Sequence, residues 1–170
     1  MSEPVKLGET PKPPVKQIKA PVRLDYQVVA GRDLSRFLAG IAEGRFVGKR
    51  CPSCSKVYVP PRGACPACGV ALTEEVNVSD RGTLTTFCVV NVPVEGRSMK
   101  LPYVYGSVLL DGADIPFAHL LQGLPVEEVR MGLRVRAEWA PSLLPTMESI
   151  LCFLPTGEPD APFDTYKEHL

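Results

Sequence analysis

From Asp33 onward, large apolar residues recur with a helical period. Leu34, Phe37, Leu38, Ile41 and Ala42 fall on one face, with Asp33 in the position of an N-cap and Gly44 as a stop. The spacing predicts an amphipathic docking helix of about three turns within residues 31–45. Its apolar stripe needs cover, either from its own domain or from a partner subunit. Beyond residue 80 the period becomes two. Leu84, Thr86, Cys88, Val90 and Val92 alternate with Thr85, Phe87, Val89 and Asn91, which reads as a strand over 82–92. Further strands are expected over 103–110, over 115–121 after a turn at Asp111 and Gly112, over 129–139, and over 149–154. Five short strands in about 80 residues suit a small closed barrel, for which the oligonucleotide/oligosaccharide-binding (OB) fold is the common five-stranded choice. The expected barrel covers 74–155, and the fold class is mainly β.

The two ends of the chain have another texture. Pro4, Pro11, Pro13, Pro14 and Pro21 stand among few large apolar groups, so residues 1–30 read as a flexible proline-rich arm. Residues 156–170, led by Pro155 and carrying Pro159 and Pro162, read as a flexible tail.

Composition narrows the class. The chain has 170 residues, 45% of them hydrophobic and 22% charged, which suits one ordinary globular core. No stretch approaches the roughly 20 apolar residues of a membrane span, and the N-terminus lacks an apolar signal core. A cytoplasmic protein without a membrane partner is expected. Nineteen basic residues balance nineteen acidic ones, so nothing suggests wholesale attraction to nucleic acid. The charge is unevenly spread, however. Residues 45–73 hold Arg45, Lys49, Arg50, Lys56 and Arg62 with no carboxylate, whereas the barrel segment and the tail are net acidic.

The basic island is also the cysteine segment. Cys51-Pro-Ser-Cys54 and Cys65-Pro-Ala-Cys68 are two C-x-x-C turns separated by ten residues. Each turn brings two thiolates to one side, and two such turns complete a tetrahedral S₄ site, the pattern of a structural zinc ribbon over residues 46–73. Thiolates also accept iron, so a rubredoxin-like iron centre is the alternative. A closed S₄ site has no open position for water or substrate, so the metal acts as a staple and not as a Lewis acid. Four thiolates around zinc carry net negative charge, which gives Lys49, Arg50, Lys56 and Arg62 an electrostatic reason to be nearby. The same four are candidates for holding the phosphates of a nucleotide-bearing ligand.

A catalytic set is hard to assemble from what remains. Acyl transfer needs a nucleophile with a base in reach. Outside the ribbon stand only Cys88, Cys152, His119 and His169. Cys88 shares a strand face with Leu84 and Val90, and Cys152 alternates with Ile150 and Leu154; both read as buried, inert thiols. His119 falls on a face with Ile115, Phe117 and Leu121, as a core or interface histidine does. His169 is next to the C-terminus and reads as part of the loose end. No G-x-S-x-G elbow, phosphate-binding loop or dinucleotide fingerprint is present.

The run RFVGKRCPSCSKVYVPPRGACPACG, preceded by the helix and followed by strands opening with RGTLTTF, resembles the acyl-CoA-associated zinc-ribbon/OB-fold family. In that family a helix, a rubredoxin-like ribbon and an OB barrel occur in this order, and the resemblance covers residues 30–155. It implies a non-catalytic accessory subunit of a thiolase-superfamily enzyme, either a thiolase or a thiolase-like aldolase. Such an enzyme makes or breaks carbon–carbon bonds in acyl-CoA thioesters, for instance in lipid or steroid degradation. The resemblance implies structural Zn²⁺ on Cys51, Cys54, Cys65 and Cys68, a CoA thioester at or near the partner interface, and a two-plus-two hetero-oligomer. Two alternatives are a partner of an enoyl-CoA hydratase and an OB module binding single-stranded nucleic acid, where Phe87, Tyr103, Tyr105 and Phe117 would stack on bases. The acidic barrel segment argues against the latter.

Overall fold

The computed structural model describes residue 20, residues 24–93 and residues 99–170. Most of the arm expected over 1–30 lies outside the described residues; from Leu24 to Ala30 the backbone is irregular and largely exposed.

Helix α1 spans Arg32–Ala42, with Gly31 as its N-cap. Asp33, expected to cap, lies inside the first turn and accepts a 2.6 Å hydrogen bond from Lys49 Nζ instead. Gly44 takes the left-handed backbone that ends the helix, and its N–H donates to Ile41 O. Phe37 and Ile41 are fully buried, while Leu34 stays partly exposed. The centre of the apolar stripe is therefore covered by the chain's own body, with Leu34 left at its edge. Gly40 permits the close approach: a Cβ there would sit 2.6 Å from Val47 Cγ2.

Three short strands follow: β1 (Phe46–Arg50), β2 (Val57–Tyr58) and β3 (Glu74–Val78). They form a sheet in the order β2-β1-β3, antiparallel throughout. β3 opens the segment expected to be barrel, yet it pairs along its whole length with β1, so the ribbon sheet runs on to Val78.

The barrel comprises β4 (Arg81–Val90), β5 (Tyr103–Leu110), β6 (Phe117–Leu121), β7 (Arg134–Trp139) and β8 (Ile150–Pro155). It closes in the order β4-β5-β6-β8-β7, with β6 and β8 parallel and β7 returning to β4. All five expected strands are present, though β7 starts at Arg134 because Val126–Glu128 forms a 3-10 turn and Gly132 a left-handed bend before it. In β4 a bulge between Leu84 and Thr86 inverts the alternation. Leu84 points inward, but beyond the bulge Cys88 lies opposite Tyr105 on the outer face. Cys88 is accordingly exposed, against the expectation of a buried thiol, because one extra residue moves every later side chain to the other face.

Ribbon and barrel share one core. Phe46 of β1 packs on Phe117, Trp139 and Phe153 of the barrel and on Phe37 of α1, with ring centroids 5.2–6.5 Å apart. The segment after β8, expected to be loose, is docked. Tyr166 is buried, Arg130 pairs with Asp160, and Glu158 bridges Arg81 and Arg134. Its carboxylates meet arginines that the barrel presents, and that charge match is what its proline-rich composition conceals.

Candidate metal centre

The two cysteine turns are structural repeats. Cys51 N donates to Lys56 O and Ser55 N to Cys51 O; Cys65 N donates to Val70 O and Gly69 N to Cys65 O, all at 2.8–2.9 Å. Each turn needs a left-handed residue directly after its second cysteine. Gly69 meets this at φ 71°, and Ser55 adopts φ 62° despite its side chain.

This geometry turns backbone N–H groups onto sulfur. Ser53 N and Cys54 N both lie 3.4 Å from Cys51 Sγ, and the N–H groups of Cys68 and Ala67 act on Cys65 in the same way. Hydrogen bonds of this kind favour the thiolate that a metal requires. The four Sγ atoms lie within 4.8 Å of one another, and Cys54 Sγ and Cys65 Sγ are 3.8 Å apart. Four thiolates at the zinc–sulfur distance of about 2.3 Å define a tetrahedron with edges of roughly 3.8 Å, so the donor set fits a structural zinc ion. Cys51 and Cys65 are buried, whereas Cys54 and Cys68 face solvent.

Tyr58 supports the site from behind. Its hydroxyl lies 3.2 Å from Cys65 Sγ and donates to the thiolate. That bond is the largest reason the Cys65 thiol falls to about 6, and it pushes the Tyr58 phenol up to about 12, with burial adding to the rise. Arg62 lies over the Tyr58 ring, 5.7 Å from its centroid. Sequence reasoning had no signal for Tyr58, since a lone tyrosine between two cysteine pairs reads as ribbon core.

A family model described as the rubredoxin-like zinc ribbon domain of ChsH2 matches residues 38–74, and the ChsH2 C-terminal OB-fold model continues over residues 75–140. The chain belongs to the ChsH2 zinc-ribbon/OB-fold family. The four cysteines are its zinc-ribbon site. Among curated relatives, a DUF35 domain-containing scaffold protein of Methanocaldococcus jannaschii is 32% identical over 92 residues, covering 54% of this chain and 64% of that protein. A scaffold protein of the same description from Pyrococcus furiosus is 31% identical over 91 residues, covering 54% and 65%. The chain thus spans just under two thirds of the length of these relatives. Of solved structures, a chain of the Ltp2-ChsH2(DUF35) aldolase superposes with a TM-score of 0.59 at 24% identity, covering 76% of this chain and 98% of that one. A DUF35-family protein of unknown function from Sulfolobus solfataricus gives 0.57 at 16% identity, covering 74% and 87%. At these identities the likeness concerns the fold.

The four basic candidates beside this ChsH2-type ribbon have separate fates. Lys49 is buried, its side chain 5% exposed, and is committed to Asp33. Arg50, next along β1, pairs with Glu74 at 3.2 Å. Lys56 lines a cleft with Asp114, Ile115, His169 and Leu170, and Arg62 lies on Tyr58. The histidines are equally committed. His119 packs its ring against Phe117, Phe153 and Tyr105, with Nδ1 buried and no partner among the described residues. Burial pulls its pKa below the ordinary histidine value. His169 is held by a 2.9 Å hydrogen bond between Nδ1 and Asp114 O. Cys152 is buried, and burial pushes its thiol up. No helix among the described residues is long and apolar enough to cross a membrane.

Proposed function

We propose that this chain is a non-catalytic accessory subunit of a thiolase-superfamily enzyme that makes or breaks a carbon–carbon bond in an acyl-CoA thioester. The observation that carries the reading is the pairing of a closed S₄ ribbon with an OB barrel in a family whose members include the ChsH2 component of an aldolase and proteins described as scaffolds. Support also comes from the groups that do acyl chemistry elsewhere. Four of the six cysteines fill one metal site, Cys152 is buried, and both histidines are held in packing or backbone contacts. Cys88 is exposed and lies opposite Tyr105.

In this reading the partner supplies the nucleophile and the acyl specificity, and two copies of each chain form the assembly. CoA phosphates approach the ribbon from the side of Lys56, Arg62 and Arg50, with Lys49 contributing through its buried pair with Asp33 and not by direct contact.

The test is co-expression of the full chain with each thiolase-superfamily protein of its native host. Carbon–carbon cleavage of acyl-CoA esters is then assayed for each chain alone and for any complex. The expected result is a stoichiometric complex whose activity exceeds that of the partner alone, with the isolated chain inactive. Turnover by the isolated chain, or no association with any such partner, would refute the reading.

A further inference from the structure

The four ribbon sulfurs are not equivalent. Cys51 and Cys65, the first cysteine of each turn, are both 1% exposed, while Cys54 and Cys68, the second of each, face solvent. The inner sulfurs are also wrapped in donors. Cys51 Sγ accepts from the N–H groups of Ser53 and Cys54 at 3.4 Å, and Cys65 Sγ accepts from the Tyr58 hydroxyl at 3.2 Å. A thiolate that is buried and hydrogen-bonded is a slower nucleophile than an open one. A small electrophile arriving from water therefore meets the outer side of the site first.

Cys54 combines what an oxidisable cysteine needs. It is exposed, the metal site holds it as a thiolate, and its Sγ lies 3.8 Å from Cys65 Sγ on the other turn. Its surroundings are electropositive, since residues 45–73 carry five basic side chains and no carboxylate, with Lys56 two positions away. Open, electropositive settings are where reactive cysteines are found.

We propose that Cys54 is an oxidation site for peroxides and Cys65 its resolving cysteine, so that the ribbon gives up its metal on oxidation and regains it on reduction. In the first step the Cys54 thiolate attacks one peroxide oxygen. The S–O bond forms, the O–O bond breaks and hydroxide leaves, which makes Cys54 a sulfenic acid. In the second step the Cys65 thiolate attacks the Cys54 sulfur, the S–S bond forms, the S–O bond breaks and a second hydroxide leaves. Two thiolates lose two electrons, and one peroxide gains them. The disulfide takes one ligand from each turn and leaves Cys51 and Cys68, too few for a tetrahedral thiolate site. Tyr58, Leu72 and Ile115, the last from the β5–β6 turn, pack with Cys51 and Cys65 in one cluster, so the change reaches the contact between ribbon and barrel. A thiol reductant reverses the disulfide by exchange. Nothing in this chemistry requires a partner subunit.

The experiment treats the zinc-loaded full chain with stoichiometric hydrogen peroxide beside a chromogenic zinc chelator, and maps the products by mass spectrometry without reduction. The expected result is loss of the zinc, a disulfide joining Cys54 to Cys65, and return of zinc binding after dithiothreitol and added Zn²⁺. Because Cys54→Ser removes a metal ligand on which folding depends, a second measurement uses the wild type with trace N-ethylmaleimide, which is expected to label Cys54 before Cys51 and Cys65. Cys88→Ser removes the exposed thiol of β4 and is expected to release zinc like wild type. Zinc that stays bound while Cys88 alone is oxidised would overturn the proposal. So would a disulfide between any other pair, first labelling of Cys51 or Cys65, zinc binding that reductant does not restore, or loss of zinc release in Cys88→Ser.

Discussion

Asp114 and Val57 exchange two hydrogen bonds: the Asp114 N–H donates to Val57 O at 2.9 Å, and the Val57 N–H donates to Asp114 Oδ2 at 2.8 Å. Val57 belongs to the ribbon and Asp114 to the turn between β5 and β6, so a strand-like ladder rung joins the two units. Asp114 O also meets His169, which brings the C-terminal segment to the same joint. Replacing Asp114 by alanine leaves the Val57 N–H, in a buried residue, without its acceptor. The expected cost is about 1–3 kcal/mol, measured by urea denaturation, with zinc content unchanged. A variant as stable as wild type would show that the joint is held by the shared core alone.

Zinc removal is expected to unfold more than the ribbon. Phe46, Val57 and Val59 belong to the same buried cluster as Leu84, Val135 and Phe153 of the barrel. Metal binding is coupled to folding, so Cys51→Ser or treatment with a strong chelator is expected to lower one shared thermal transition. Two separate transitions on calorimetry, with the barrel's unmoved, would contradict this coupling.

Tyr58→Phe removes only the hydroxyl beside Cys65. The ring and its packing stay, so the chain is expected to fold and to hold zinc, with affinity reduced by roughly 10–100-fold. Competition against a chromogenic chelator reads this directly. Unchanged affinity would mean that the backbone N–H groups alone set the electronics of the site.

His119 titrates against the fold. Its pKa lies below the ordinary value because of burial, so the neutral form is the folded one. The unfolded chain takes up the proton first as pH falls through about 6.5. The stability that depends on neutral His119 is thus fully present above that pH and is lost as pH drops toward the lower folded value. His119→Phe should reduce the acid-side slope of stability between about pH 7 and pH 5, and should not cost stability at neutral pH, since Nδ1 has no partner to lose. Urea midpoints of the two proteins across that range provide the check, and parallel pH profiles would assign the acid sensitivity to other groups.

The C-terminal segment should behave as part of the barrel. Arg130 pairs with Asp160, and Tyr166 is buried beside Gly132. Tyr166→Ala is expected to cost about 3–5 kcal/mol if the pocket does not collapse, seen as a lower denaturation midpoint. A neutral effect would return the segment to the status of a tail.

Much of this architecture was legible in the chain itself. The 3.6-residue spacing of Phe37 and Ile41, the alternation in five strands and the two C-x-x-C turns are local signals. Backbone geometry alone converts them into a helix, strands and thiolate pairs. Where a local rule was interrupted, the sequence misled. One extra residue in β4 sent Cys88 to the outer face, and no composition rule marks where a bulge falls. The tail's docking depended on arginines at positions 81, 130 and 134, whose meeting with Glu158 and Asp160 exists only after the barrel has closed. Tyr58 reached Cys65, and Lys49 reached Asp33, because strand pairing and helix packing brought distant residues to hydrogen-bond range. The sequence by itself determined the elements and the metal-binding set, since both arise from short-range spacing. The tertiary structure decided which charges are spent inside, which sulfurs face solvent, and that ribbon and barrel share one core, because those outcomes depend on packing between segments far apart in the chain.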